Sequence, residues 1–241
     1  LMCKVGEVVV SGGVRRSAMI SLSNLSDQRM RHAKSGQWWE TAPQMALSNN
    51  SVCYTDKPDG ETFLREWTAL VESKSGERGI FNRISAKEQA KKFGRRDANY
   101  EFGTNPCSEI ILRPYQFCNL TEVVIREKDK FEDLKRKVML ATILGTAQAT
   151  LTKFPYLRKV WKTNTEEERL LGVSLTGIMD NELTSGKKHG LDKTLEALRQ
   201  IAVETNKEWA AIFGIPQSTA ITCVKPSGTV SQLVDSSSGI H

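Results

Sequence analysis

Residues 169–180 read RLLGVSLTGIMD, and residues 191–213 read LDKTLEALRQIAVETNKEWAAIF. The first stretch reads as a buried strand running into a turn. In the second, Leu191, Leu195, Leu198, Ile201, Thr205, Trp209 and Ile212 recur at helical spacing, which predicts an amphipathic helix. Gly214 ends it and Pro216 confirms the stop. A short β-rich run, STAITCVK (218–225), comes next and leads directly into PSGTVS. Strand and long helix alternate here, so the expected class is α/β with a partly parallel sheet.

Upstream, residues 129–151, DKFEDLKRKVMLATILGTAQATL, predict a long helix that becomes apolar on all sides and is therefore well buried. Nearer the start, EVVVSGGVRRSAMISLS (7–23) is an apolar run, a Gly-Gly turn carrying Arg15 and Arg16, and an alternating strand. Repeats and low-complexity linkers are absent. Both ends fall beside informative motifs, the layout expected of a piece of a longer protein.

The chain has 241 residues, enough for one large domain or two small ones with a real core. Hydrophobic residues make up 39% and charged residues 26%, the balance of a globular protein. There is no apolar run near the roughly 20 residues of a membrane span, and the opening LMCKVGEVVV lacks a signal-peptide layout. Five cysteines at irregular spacing suggest a reducing, cytoplasmic setting (a host cell's cytoplasm if the protein is viral), where a disulfide would be transient and catalytic. No Cys-x-x-Cys occurs and only three histidines are present, so no protein-bound metal site is expected. The net charge is +6. Without a basic stripe interleaved with stacking aromatics, this surplus points to an anionic small molecule rather than a nucleic acid.

Three stretches carry chemistry. In GTNPCSEII (103–111), Asn105, Cys107 and Glu109 occupy alternate positions, and an extended segment would point them the same way. Pro106 suits an irregular or edge segment. The stretch reads as a loop presenting amide, thiol and carboxylate to one small volume, or else as a buried cysteine beside a solvent-facing glutamate. Cys118 follows across SEIILRPYQF, where Pro114 could turn the chain back toward Cys107. In KPSGTVSQ (225–232), Ser227, Gly228 and Thr229 would offer hydroxyls and close-approach N–H groups to an anion at a helix N-terminus, although Ser-Gly-Thr is also an ordinary turn and cap. In SGGVRRSA (11–18), two glycines and the planar donors of Arg15 and Arg16 suit a phosphate or base edge, or equally a solvated basic turn. Cys3, Cys53 and Cys223 read as small buried hydrophobes.

Taken together and in this order, FGTNPCSEI, the later cysteine, KPSGTVS and SGGVRRSA resemble the large catalytic chain of ribonucleotide reductases. GERGIFNR (76–83), GRRDANYEFGTNPCSEIILRPYQFCNLTEVV (94–124) and CVKPSGTVS (223–231) with SGIH at 238–241 resemble its adenosylcobalamin-dependent, class II, branch. Class I chains usually carry Ser-Glu-Thr where this chain has Ser227-Gly228-Thr229. The resemblance covers essentially the whole chain and implies part of a ten-stranded α/β barrel with an inward finger loop. It implies that residues 1–241 form a partial catalytic barrel domain, with a specificity loop at 11–17, a finger loop at 103–112 and a phosphate-binding turn at 225–231.

Residue by residue, the resemblance makes Cys107 the thiyl-radical residue, Asn105 a hydrogen-bonding partner of the ribose hydroxyls and Glu109 the base on the 3′-hydroxyl. Cys118 matches one member of the reducing cysteine pair. Pro226, Ser227, Gly228, Thr229 and Val230 match the phosphate-binding turn. Ser11, Gly12, Gly13, Val14, Arg15 and Arg16 match the loop that links effector to substrate base. The implied cofactor is adenosylcobalamin. The implied partners are a ribonucleotide substrate, a deoxynucleotide or nucleotide effector and a dithiol reductant such as thioredoxin. The pattern departs from the family in lacking the upstream redox cysteine, the C-terminal shuttle cysteines and most of what would enclose cobalamin. Companion polypeptides are therefore expected to supply the rest.

Overall fold

The computed structural model describes residues 1–13 and 17–239. The chain forms two compact units: one holds residues 1–92 and 98–111, the other residues 93–97 and 112–241.

In the first unit the elements are α1 (Met2–Ser11), β1 (Met19–Ser23), α2 (Gln28–Arg31), α3 (Trp38–Thr41), β2 (Ser48–Tyr54), α4 (Gly60–Ser73), β3 (Gly79–Asn82) and α5 (Arg83–Lys91). Two short strands follow, β4 (Gly103–Thr104) and β5 (Ile111–Leu112), which pair with each other. β1, β2 and β3 form a parallel sheet in that order, with Met19 opposite Ser48 and Ser51 opposite Gly79. The central strand is buried on both faces except at Asn49. Parallel neighbours need a crossover, which α4 provides between β2 and β3. Asp59 caps α4 by accepting from the Thr62 N–H at 2.9 Å.

Glu66 of α4 is 2% exposed and lies between two arginines. Arg78 donates to its Oε2 from Nε at 2.9 Å and from Nη2 at 2.6 Å, and Arg31 donates from Nε to Oε1 at 2.6 Å. Arg78 also donates to Ser23 Oγ at 2.9 Å, joining the crossover helix to the first strand.

The second unit contains β6 (Asn119–Val124), α6 (Phe131–Gln148), α7 (Lys159–Glu168), β7 (Leu171–Thr176), α8 (Leu191–Phe213) and α9 (Gly228–Leu233). β6 and β7 are parallel, with Asn119 opposite Leu171 and Val124 opposite Thr176. Val123, Ile125, Leu134, Val138, Leu171 and Leu198 belong to its apolar core. The helix read from residues 191–213 is present over those residues. It closes on Gly214 at φ 66, with Ile215 N–H donating to the Ala210 carbonyl and Gly214 N–H to that of Ala211.

Two expectations need correction. STAITCVK lies beside β7 through Leu171 N–H to Ala220 O, Val173 N–H to Ile221 O and Cys223 N–H to Val173 O, but it makes a single bridge rather than a strand. The long helix is not buried all round: Leu140 and Leu144 are 57% and 64% exposed. With Leu120, Val124 and Leu151 they line an open groove of about 880 Å³. α6 rests one apolar face on the strands and α8, and its other apolar face is open.

Glu168 ends α7 and is 1% exposed. Arg96 grips it with Nε on Oε1 and Nη2 on Oε2, both at 2.8 Å, and Arg113 Nη2 lies 3.1 Å from Oε1. Gln116 Nε2 donates to Oε2 at 2.6 Å. Replacing Glu168 by Gln removes the buried charge that Arg96 and Arg113 share, although Arg113 still pairs with Glu167 at 2.8 Å, and we expect a loss of about 3–5 kcal/mol in urea unfolding. Glu61→Gln, at an exposed pair with Arg65, should leave the urea midpoint unchanged.

Candidate functional site

The segment from Gly103 to Leu112 is a short ladder closed by a tight turn. The Ser108 N–H donates to the Asn105 carbonyl at 2.9 Å, so Asn105, Pro106, Cys107 and Ser108 form a β-turn. Asn and Pro at its first two positions are what such a turn favours. Ser108 takes φ 64, a left-handed conformation. The simple alternation expected of an extended segment is therefore broken, and the three groups are presented by a turn with Cys107 at its tip.

Each group is in a distinct state. Cys107 is exposed. Asn105 is half-buried, and its Oδ1 accepts from the Ile110 N–H at 3.0 Å. That bond consumes the amide oxygen and leaves the Nδ2 hydrogens as donors. Glu109 is half-buried, and among the described residues its Oε2 is a buried oxygen with no hydrogen-bond partner. An acceptor held out of water without a donor is costly to maintain, and it is open to a hydroxyl or N–H group brought by a ligand.

The turn is braced from within its own unit. Thr104 Oγ1 donates to the Ile110 carbonyl at 3.0 Å, and Asn49 Nδ2 donates to the Pro106 carbonyl at 2.6 Å. Arg83 Nε donates to the Phe102 carbonyl at 2.9 Å at the base of the segment, above a fully buried Phe102. Neither Thr104 nor Asn49 stands out in the sequence. Asn49 sits in the polar run SNNS of a strand, and nothing local links it to position 106.

In the second unit, Cys118 is half-buried immediately before β6. Phe117 beside it packs on Phe154 and Trp161 at centroid distances of 5.0 and 4.7 Å. Ser227 is 2% exposed at φ 64, and its Oγ donates to Thr176 Oγ1 at 2.8 Å. Its hydroxyl is therefore spent on β7, whereas Gly228 and Thr229 are exposed at the start of α9 and Pro226 and Val230 are half-buried. Ser11 closes α1 and Gly12 follows as its cap, with Gly13 at φ 72. Val14, Arg15 and Arg16 lie outside the described residues. Among the described residues, no group of three or more His, Cys, Asp and Glu is placed to hold a metal ion, and no helix is long and apolar enough to cross a membrane.

No family model matches the chain. The adenosylcobalamin-dependent ribonucleoside-triphosphate reductase of Lactobacillus leichmannii is 30% identical over 270 residues, an alignment covering 98% of this chain and 35% of the relative. The probable adenosylcobalamin-dependent ribonucleoside-triphosphate reductase of Dictyostelium discoideum is 28% identical, covering 100% of this chain and 31% of that protein. A solved B-12 dependent (class II) ribonucleotide reductase matches with a TM-score of 0.73 and 25% identity, over 98% of this chain and 35% of the other. The alpha subunit of a class Id ribonucleotide reductase from Actinobacillus ureae shares the fold, with a TM-score of 0.61 at 16% identity over 91% of this chain and 48% of that one. The chain spans about a third of the length of the curated relatives it matches.

The thiols themselves differ in a way that can be measured. Burial pushes the Cys53 thiol above its usual range, with Glu101 adding to the rise and Arg83 opposing it. Cys53 is also only 5% exposed. Because the thiolate is the nucleophile, iodoacetamide at pH 8 should label Cys107 at least roughly ten times faster than Cys53, as read by peptide mass spectrometry. Labelling of Cys53 should accelerate only at pH values above the ordinary thiol range.

Proposed function

We propose that the chain belongs with the adenosylcobalamin-dependent ribonucleotide reductases, which it resembles at 30% identity, and that it provides the radical-handling turn of an enzyme that reduces ribonucleotides to 2′-deoxyribonucleotides. The observation that carries this reading is the state of the turn at 105–109. An exposed thiol stands between an amide with free donors and a carboxylate with an open, buried oxygen.

When bound, adenosylcobalamin supplies a carbon-centred radical able to take a hydrogen atom from a thiol. Cys107 fits that task because its sulfur is open at the tip of a turn. As a thiyl radical, Cys107 takes the 3′ hydrogen of the ribose and later returns it, an exchange between bonds of similar strength. The 2′-hydroxyl becomes a workable leaving group once negative charge develops at the 3′ oxygen. Glu109 Oε2 accepts the 3′-hydroxyl proton while the 2′ oxygen takes a proton from one thiol of the reducing pair and departs as water. Asn105 Nδ2 donates to a ribose hydroxyl and holds the sugar in register with the sulfur. Cys118 and a second thiol provide two electrons and finish as a disulfide.

Residues 226–230 take the substrate phosphates through the exposed backbone of Gly228 and Thr229 rather than through the Ser227 hydroxyl. Residues 11–16 transmit the effector nucleotide to the substrate base. A second redox cysteine and the remainder of the barrel, on companion polypeptides or elsewhere in the same one, complete the enzyme. A small dithiol protein such as thioredoxin resets the disulfide, and the assembly works in the cytoplasm.

The deciding experiment mixes the chain with its co-purifying partners, a ribonucleotide, a dithiol and 5′-tritiated adenosylcobalamin. Tritium should pass to water, and Cys107→Ser should abolish both exchange and deoxynucleotide formation. Absence of exchange from a folded, nucleotide-bound assembly overturns the reading. Glu109→Gln should keep nucleotide binding but lower kcat by about 10²–10⁴-fold, the usual worth of a positioned general base.

A further inference from the structure

The turn that carries Cys107 has one rotational freedom left, and a side chain from the sheet occupies the place where it would be controlled. In a β-turn the peptide between the second and third residues can rotate as a unit, exchanging one turn type for another. Here that peptide joins Pro106 to Cys107. The ring of Pro106 fixes its own φ, so the motion is confined to ψ of Pro106 and φ of Cys107. The turn's own hydrogen bond uses the Asn105 carbonyl and the Ser108 N–H. It leaves the Pro106 carbonyl to find a partner elsewhere.

That partner is Asn49. It is the exposed position of a strand whose other residues are all buried. Side chains alternate along a strand, so Asn49, Ser51 and Cys53 share one face of the central strand. Cys53 feels the charges of Arg83 and Glu101, which meet at the base of the turn segment, where Arg83 pairs with Glu101 at 3.0 Å and donates to the Phe102 carbonyl. A Cβ at Gly103 would meet Leu22 of the adjoining strand at 3.7 Å. The face bearing Asn49 therefore lies under the stem of the turn, and its amide reaches the Pro106 carbonyl at 2.6 Å. Cys107 is not among the residues with positive φ, which corresponds to one orientation of the Pro106–Cys107 peptide.

We propose that Asn49 is a positioning residue: by donating to the Pro106 carbonyl it fixes the peptide plane that sets the direction of the Cys107 side chain. The kinetic consequence rests on the reductase reading; the conformational one does not. The polypeptide contains a single Pro-Cys pair, at 106–107. Labelling with carbonyl-¹³C proline and ¹⁵N cysteine thus gives one backbone cross-peak for that peptide in the full chain. In Asn49→Asp and Asn49→Ala this cross-peak should move upfield in the carbonyl dimension, and the alkylation rate of Cys107 should change. The melting temperature should hold, because the side chain is exposed. In the natural assembly kcat should fall about ten-fold with KM for the nucleotide unchanged, the scale of one lost hydrogen bond at a reacting group. Asn49→Gln, which keeps the donor, should restore the carbonyl position and most of the turnover.

A cross-peak that stays put in Asn49→Ala overturns the inference. So does one that moves while Cys107 alkylation and turnover both stay at wild-type rates. If wild-type protein makes no deoxynucleotide, the reductase reading fails, and the cross-peak and alkylation rate still decide whether Asn49 sets the thiol.

Discussion

One buried carboxylate holds the two places where the chain leaves and re-enters the second unit. Arg96 stands just before the excursion that carries Cys107 and Arg113 just after it, and both grip Glu168. Gln116 completes the set by donating to the same carboxylate and accepting the Arg113 backbone N–H at 2.8 Å. Withdrawing these charges from water costs several kcal/mol per ion by the usual reckoning, which the pairing repays only with good geometry. What such a cluster gives with certainty is direction. A guanidinium is planar and its donors are fixed, so a bidentate grip sets the angle of the side chain as well as its distance. The first unit uses the same device, with Glu66 between Arg31 and Arg78.

Much of this was legible in the residues. The helix at 191–213 followed from the spacing of its apolar positions and from Gly214, because a helix face and a left-handed cap are local properties. The strand at 171–176 followed from its apolar run. The chemistry-bearing triplet was legible as a set of residue types on a loop, but the alternation of an extended segment does not hold there. Alternation was the wrong template for a stretch opening with Asn-Pro, whose turn preference is strong and local. At residues 8–10 three successive valines, good strand formers, lie inside a helix. The links from Asn49 to Pro106 and from Arg96 and Arg113 to Glu168 have no periodicity and no sequence proximity, so nothing in the sequence announced them. The open face of α6 was missed for a related reason: an apolar residue says that a surface prefers cover, not which element supplies it.

The polar groups divide according to whether the fold has already used them. Thr142 and Thr146 are fully buried and return their hydroxyls to carbonyls one turn back. Asn206 is spent on Thr146 and Ser218, and Ser227 on Thr176. These groups tie α8 to α6 and the start of α9 to β7, and have no donor left to offer a ligand. In the turn at 105–109 the balance is reversed: Asn105 keeps its donors, Glu109 keeps an acceptor, and Cys107 keeps an unobstructed sulfur. The difference between scaffold and site is therefore read most directly from unspent hydrogen-bonding capacity.

The openness of Cys107 has a chemical consequence for the lifetime of the protein. A thiol that radicals and substrates can reach is also one that peroxide can reach, and susceptibility to sulfenic and then irreversible sulfinic oxidation follows exposure. Cys53, sealed in the sheet, is spared. Damage would therefore accumulate first at the atom the proposed reaction needs most. A ligand seated above the turn would shield the sulfur as well as meet it, so under the proposed reaction the thiol is most open to peroxide when that ligand is scarce.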